Sequence, residues 1–175
     1  LSPYVKNRWR SFTLSVNYRT PAQIMEASSG VLAEINPTAQ QPRSIRRSAY
    51  DVELIDRADN TWLVVLQQTV HHMQNFHPGE KRTCGILVSP AVMGDLQAVM
   101  DTTILDRTVL DAAVSLVQDA KGLEFDYVII ADPVGMVEAS PQGLNDLFVA
   151  MTRATQALAI VHDGAVPYCL SDLVE

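Results

Sequence analysis

The chain has 175 residues, 47% of them hydrophobic and 19% charged, with a net charge of −7 at neutral pH. These values fit one globular domain able to bury about 70% of the surface its unfolded form exposes, and every apolar run is far shorter than the ~20 residues of a membrane-spanning helix. The acidic balance argues against a grip on nucleic acid through the overall field, but leaves room for a local basic track such as Arg43, Arg46 and Arg47.

The two cysteines, Cys84 and Cys169, lie far apart without metal-ligand spacing. They read as reduced thiols of a cytosolic protein, which gives the expected cytoplasmic location. His71, His72 and His77 cluster on an expected helix with no Cys or carboxylate at ligand spacing, so no metal site is expected. The first residues show no secretory pattern and no initiator Met, which leads to reading the chain as part of a longer protein.

In chain order, Phe12 to Val16 alternates weakly and predicts a strand. Thr20 as N-cap and Pro21 as first helical residue open a helix over 21–35, carried by Ile24, Met25, Val31, Leu32 and Ile35 and ended by Asn36-Pro37. The polar, basic stretch 36–48 predicts a loop, and 50–56 a short strand. Asn60 or Thr61 caps a second helix with an apolar stripe of Trp62, Leu63, Leu66, Val70, Met73 and Phe76, stopped by Pro78-Gly79. Trp62 is expected in the core. Cys84–Val88 predicts a buried strand, and Ser89-Pro90 a helix to about Met100. Ala112–Val117 predicts a strand and 118–124 a turn. Phe125–Ala131, bounded by Asp132-Pro133, is the clearest strand, followed by a helix over Gly143–Thr155 and a last strand over Ala157–Val161. Strands alternating with helices predict an α/β domain: a mostly parallel sheet with helices on both faces. The segment 163–175 is left as a C-terminal tail.

Three segments carry candidate chemistry. Asn17-Tyr18-Arg19-Thr20 follows the first strand. Lys121-Gly122-Leu123-Glu124 follows strand 112–117. Arg153 closes the amphipathic segment 147–154. Ligands of parallel sheets gather at the carboxyl ends of strands, and the first two segments are expected there. Arginine suits phosphate because its guanidinium is planar and permanently charged. Taken without context, Arg153 reads more readily as a cation satisfying the last carbonyls of a helix. No Gly-x-x-x-x-Gly-Lys-Ser/Thr loop is present, so Lys121-Gly122 is not a phosphate loop.

Leu14-x-x-Asn17-Tyr18-Arg19-Thr20-Pro21-x-x-Ile24 resembles motif IV of the UvrD/Rep-like superfamily 1 helicases. Ala120-Lys121-Gly122-Leu123-Glu124-Phe125-Asp126 resembles their motif V, and Leu147-Phe148-Val149-Ala150-Met151-Thr152-Arg153-Ala154 their motif VI. All three belong to the second RecA-like motor domain of that family. The resemblance implies that Tyr18 stacks on adenine, Glu124 bonds the ribose, and Arg19 and Arg153 reach the γ-phosphate. Lys121 would serve phosphate or nucleic acid, with Gly122 allowing close backbone approach. ATP and Mg would be held mainly by an N-terminal RecA-like domain of the same protein, so the chain alone should be inactive.

Two departures stand out. Gln118 occupies the position where the family usually has a nucleic-acid-contacting histidine. Only 101 residues separate Arg19 from Lys121, too few for the usual accessory domain. This compact form resembles the helicase IV/HelD-like branch, some of whose members act on RNA polymerase. Three readings therefore stand at this point: an ATP-dependent DNA helicase or translocase motor on single-stranded DNA, an ATPase that remodels RNA polymerase, and a non-catalytic module.

Overall fold

The computed structural model describes residues 15–102 and 112–174, with side chains through 99 in the first span. Its centre is a five-stranded, all-parallel sheet in the order β3-β7-β6-β4-β5, formed by β3 (Glu53–Asp56), β4 (Cys84–Val88), β5 (Ala113–Leu116), β6 (Phe125–Ala131) and β7 (Ala154–His162). Seven helices accompany it among the described residues. They are α1 (Ala22–Ala27), α2 (Ser29–Ile35), α3 (Trp62–Gln74), α4 (Pro90–Thr102), α5 (Pro133–Glu138), α6 (Gly143–Met151) and a 3-10 helix (Tyr168–Leu173). The expected α/β architecture is present.

The strand period places alternate side chains on opposite faces. Leu87, Val128, Ile130, Leu158 and Ile160 point to one face and pack with Ile24, Val31, Met136, Leu147, Met151 and Leu170, contributed by α1, α2, α5, α6 and the 3-10 helix. Ile86, Val88, Ile129, Ala159 and Val161 point to the other and pack with α3 and α4. Both faces are covered, so β4 and β6 consist of buried residues along most of their length. Trp62 packs against the second cluster, as expected, with the Arg57 guanidinium 5.1 Å from its ring centroid.

Several expected elements differ. Residues 12–14 of the first expected strand lie outside the described residues. Beyond them, β1 (Val16–Asn17) pairs in parallel with β2 (Arg43–Ser44) as a separate two-stranded sheet. The segment 36–48 is therefore not wholly loop. Helix 21–35 is broken at Ser28, which is fully buried and turns its hydroxyl back to the Met25 carbonyl at 3.0 Å. Thr20 does not cap: its hydroxyl is buried without a partner, and Ala22 donates instead to the Arg46 carbonyl at 2.7 Å. Helix α6 stops at Met151, short of Thr155, because the Thr152 hydroxyl bonds the carbonyls of Phe148 and Val149 and Ala154 pairs with Phe125. Residues 168–173 carry Leu170 into the core rather than trailing away.

Helix α5 is an addition to the sequence expectation. Asp132 sits in the left-handed region at φ 59° and caps α5 through Oδ1, which accepts from Gly135 N at 2.9 Å. Its Oδ2 accepts from the Ser89 hydroxyl at 2.7 Å, and Ser89 Oγ in turn accepts from Val92 N at the start of α4. Two helix N-termini on opposite faces of the sheet are thus tied through one carboxylate at the carboxyl ends of β4 and β6.

Candidate functional site: an arginine–glutamate corner

Because β5 and β6 run parallel, the chain after Leu116 must return across the sheet before β6 begins. Val117 and Ala120 bury as it crosses, and Glu124 arrives immediately ahead of Phe125, at the amino end of the sheet. Arg153 immediately precedes β7 at the same end, and Phe125 N donates to the Arg153 carbonyl at 3.2 Å. Arg153 therefore lies in the turn between α6 and β7, not at the end of a helix. Of the two segments expected at carboxyl strand ends, Glu124 is instead delivered to the amino end of the five-stranded sheet, whereas Asn17-Tyr18-Arg19-Thr20 does follow the carboxyl end of β1, in the separate two-stranded sheet. Gln118 lies two residues after β5, and Ala120 N still donates to the Leu116 carbonyl at 3.2 Å.

Arg19 reaches this corner from the turn after β1. Its Nη1 lies 2.5 Å from Glu124 Oε1 and its Nη2 donates to the Thr152 carbonyl at 3.3 Å. Residues 133 positions apart in sequence thereby meet one residue short of Arg153. The turn is built locally. Asn17 Oδ1 accepts from the backbone N–H groups of Arg19 (2.9 Å) and Thr20 (3.1 Å). Ser44, on the neighbouring β2, donates its hydroxyl to the Thr20 carbonyl at 2.5 Å. Asn17, Ser44 and Thr152 are supporting residues to which the sequence assigns no role, although Asn17 and Thr152 lie inside the candidate segments. The Asn17-to-Arg19 spacing of an Asx turn was the one available signal.

The Arg19 and Glu124 side chains are 44% and 46% exposed, so their pair contributes at most about 1 kcal/mol. Arg153 is half-buried, with Nε buried and without a hydrogen-bond partner. Its guanidinium makes no ion pair or hydrogen bond with any described residue. The Lys121 side chain is exposed and unpaired, and Tyr18 is 70% exposed with no polar contact to described residues. Gly122 adopts φ +85° with open space where a Cβ would stand, so its conformation rather than a close neighbour within the domain requires glycine.

Next to the corner, the amino ends of β4 and β6 are clasped. Asp126 Oδ2 accepts from Thr83 N (2.9 Å) and Thr83 Oγ1 (3.0 Å), and Oδ1 lies 3.4 Å from Arg82 Nη1. Burial pushes the Asp126 carboxyl up, but the Thr83 donors and the Arg82 guanidinium outweigh it and hold the group below its ordinary value. On the far side, His72 lies 3.0 Å from Glu53 and His77 Nδ1 2.5 Å from the Tyr127 hydroxyl. Among the described residues no group of three or more His, Cys, Asp or Glu could hold a metal ion.

Fold and site together describe an α/β domain that presents arginines from separate segments at one edge of its sheet. Residues 111–161 match the UvrD-like helicase C-terminal domain, a stretch that includes Lys121, Gly122, Glu124 and Arg153 but not Tyr18 or Arg19. The structure is similar to that of the C-terminal domain of a possible DNA helicase from Lactobacillus plantarum WCFS1, with a TM-score of 0.54 and 21% identity, covering 89% of this chain and 92% of that one. That likeness establishes the fold. Comparison with curated proteins gives no match. Among the described residues no helix is long and apolar enough to cross a membrane.

Proposed function

We propose that this chain is the C-terminal motor domain of an ATP-dependent DNA helicase or translocase, contributing half of an ATP site. In this reading Arg153 and Arg19 stabilise the terminal phosphate, Tyr18 stacks on the base, and Glu124 accepts from the ribose. Lys121 and Gly122 shape the turn beside them. ATP·Mg is held mainly by an N-terminal RecA-like domain. The observation that supports the reading is that Arg19, paired with Glu124, also donates to the carbonyl of Thr152, the residue before Arg153, whose guanidinium has no partner among the described residues.

Phosphoryl transfer spreads negative charge over the γ-oxygens, and a guanidinium supplied across a domain interface stabilises that charge only when the cleft is closed. Hydrolysis is thereby coupled to domain movement, and movement to stepping along a strand. Gln118, near the opposite end of the sheet, leaves single-stranded DNA a separate approach. The test is DNA-stimulated ATPase of the protein carrying both motor domains. Arg153→Ala should lower kcat by about 10³-fold or more, and the present chain alone should show no turnover. An unchanged kcat, or robust turnover by this chain alone, would refute the reading.

A further inference from the structure

Residues 41–48 form a strap fixed to α1 and β1 at both ends and in the middle. The Gln41 side-chain amide donates to the Met25 carbonyl, Ser44 Oγ donates to the Thr20 carbonyl at 2.5 Å, and Ala22 N donates to the Arg46 carbonyl at 2.7 Å. Gln23 exchanges two bonds with Ser48, at 2.6 and 3.0 Å. These bonds use backbone groups and neutral side chains, so the arginine side chains of the strap take no part in holding it. Arg43, Arg46 and Arg47 are exposed, and the Arg43 and Arg46 guanidiniums have no partner among the described residues. Arg19, Arg57 and Arg82, by contrast, each reach a carboxylate at 2.7 Å or less. No Asp or Glu occurs between Glu34 and Asp51. Glu26 stands 4.0 Å from Arg47, with the two side chains 68% and 70% exposed, so it offsets one cation weakly. Arg43 and Arg47 line a half-open cleft of about 500 Å³ between the strap and α1, together with Met25, Glu26, Gln41 and the exposed Ile45.

We infer that this strap is a nucleic-acid backbone track, in which Arg43, Arg46 and Arg47 contact phosphates of one strand as it passes along the cleft. Three cations within five residues lie at most about 14 Å apart along the backbone, a length that holds about four phosphates of one strand at about 3.4 Å each. Cations strung along a line suit a chain of anions, whereas a single small anion calls for cations gathered round a point. Each guanidinium is permanently charged and meets phosphate oxygens as a planar fork. Ile45, exposed among the cations, offers an apolar contact that a base can cover, which favours a nucleotide chain over a row of carboxylates. The net charge of −7 does not oppose this at close range, because salt at about 0.1–0.15 M limits the reach of distant carboxylates to about 8–10 Å. The track uses none of the residues assigned to the triphosphate, so it is independent of that assignment.

The 175-residue chain is titrated into a fluorescein-labelled thymidine strand of about 20 nucleotides, without magnesium, and binding is read by anisotropy over about 30 to 200 mM salt. Three phosphate contacts give a slope of log K against log salt of about −2. Each of Arg43→Ala, Arg46→Ala and Arg47→Ala should reduce that slope by about 0.7 and weaken binding about three- to tenfold at about 50 mM salt. Glu26→Gln removes the opposing carboxylate and should tighten binding about two- to fivefold. Glu138→Gln, an exposed change on α5, alters net charge equally and should leave binding as it is. Thermal unfolding of each variant reports its fold, and the exposed arginines can be removed without touching the bonds that hold the strap. Absence of binding at the lowest salt, an unchanged slope in the variant carrying all three alanines, or an equal gain from Glu138→Gln overturns the track. Polyglutamate that displaces the labelled strand as well as unlabelled strand of equal charge overturns the choice of ligand and makes the strap a dock for an acidic protein segment. Binding that falls with Arg153→Ala but not with the strap variants puts nucleic acid at the arginine–glutamate corner and also overturns the track.

Discussion

Replacing Asp126 by alanine tests the clasp that holds the amino ends of β4 and β6 beside the arginine–glutamate corner. The change removes two donors' acceptor at 2.9 and 3.0 Å and a longer contact to Arg82 at 3.4 Å. Bonds to a charged group are each worth about 1.5–3 kcal/mol. Thr83 is exposed and Arg82 keeps Glu80, so water and Glu80 recover part of the loss and about 1–2 kcal/mol remains. For a domain of this size that lowers Tm by about 2–8 °C. The Asp126 carboxyl titrates below its ordinary value in the folded protein, so the unfolded chain takes up its proton first. The stabilisation is therefore complete above the unfolded value of about 3.9 and is lost as pH falls through the lower folded value. Thermal unfolding of wild type and Asp126→Ala should show a constant Tm gap from about pH 8 to 5, narrowing below about pH 4. A gap that persists undiminished at about pH 3, or that is absent near neutrality, refutes the assignment of the depressed carboxyl to the Thr83 and Arg82 contacts.

Two further outcomes concern packing. A Cβ on Gly143 would stand 1.9 Å from the Val137 carbonyl oxygen and 2.5 Å from its carbon. Backbone cannot swing aside as a side chain can, so Gly143→Ala should cost about 3 kcal/mol, the upper end of overpacking, visible in denaturant unfolding; a loss below about 1 kcal/mol would mean that the α5–α6 joint yields easily. Burial pushes the Cys84 thiol up to about 12 and also raises the half-buried Cys169. A thiol reagent near pH 8 should label Cys169 slowly and Cys84 only after unfolding, and equal labelling of both in the native protein contradicts the burial of β4.

What the sequence revealed tracks how local each signal is. Cys84–Val88 and Phe125–Ala131 were legible to the residue because buried parallel strands leave continuous apolar runs. A cap at Asn60 or Thr61 was legible because such a side chain needs only an N–H three residues on, and the structure selects Thr61, which accepts from Val64 N. Helix α5 was hidden because Asp132-Pro133 reads as a strand terminator, whereas the same pair serves as cap and first helical residue. The break at Ser28 depends on a buried hydroxyl, and the pairing of β1 with β2 on a partner more than twenty residues away. At the site, nothing local connects Arg19 with Glu124. Only the motif resemblance grouped them, and it gave no indication that they would touch. The wrong end of the sheet was expected because residues after a strand were placed at its carboxyl end, while 117–124 crosses the sheet and delivers Glu124 to the other.

The shared cap of Asp132 and Ser89 gives the opposite edge of the sheet a different character. Both oxygens of Asp132 and the hydroxyl of Ser89 are spent on starting α4 and α5, in the crevice where a doubly wound sheet usually leaves room for a guest. There the domain's own polar groups bond one another. Loosening either helix to admit a visitor would release the other, since the two share a single fastening, so α4 and α5 should fray together and exchange their first amide protons with one common rate.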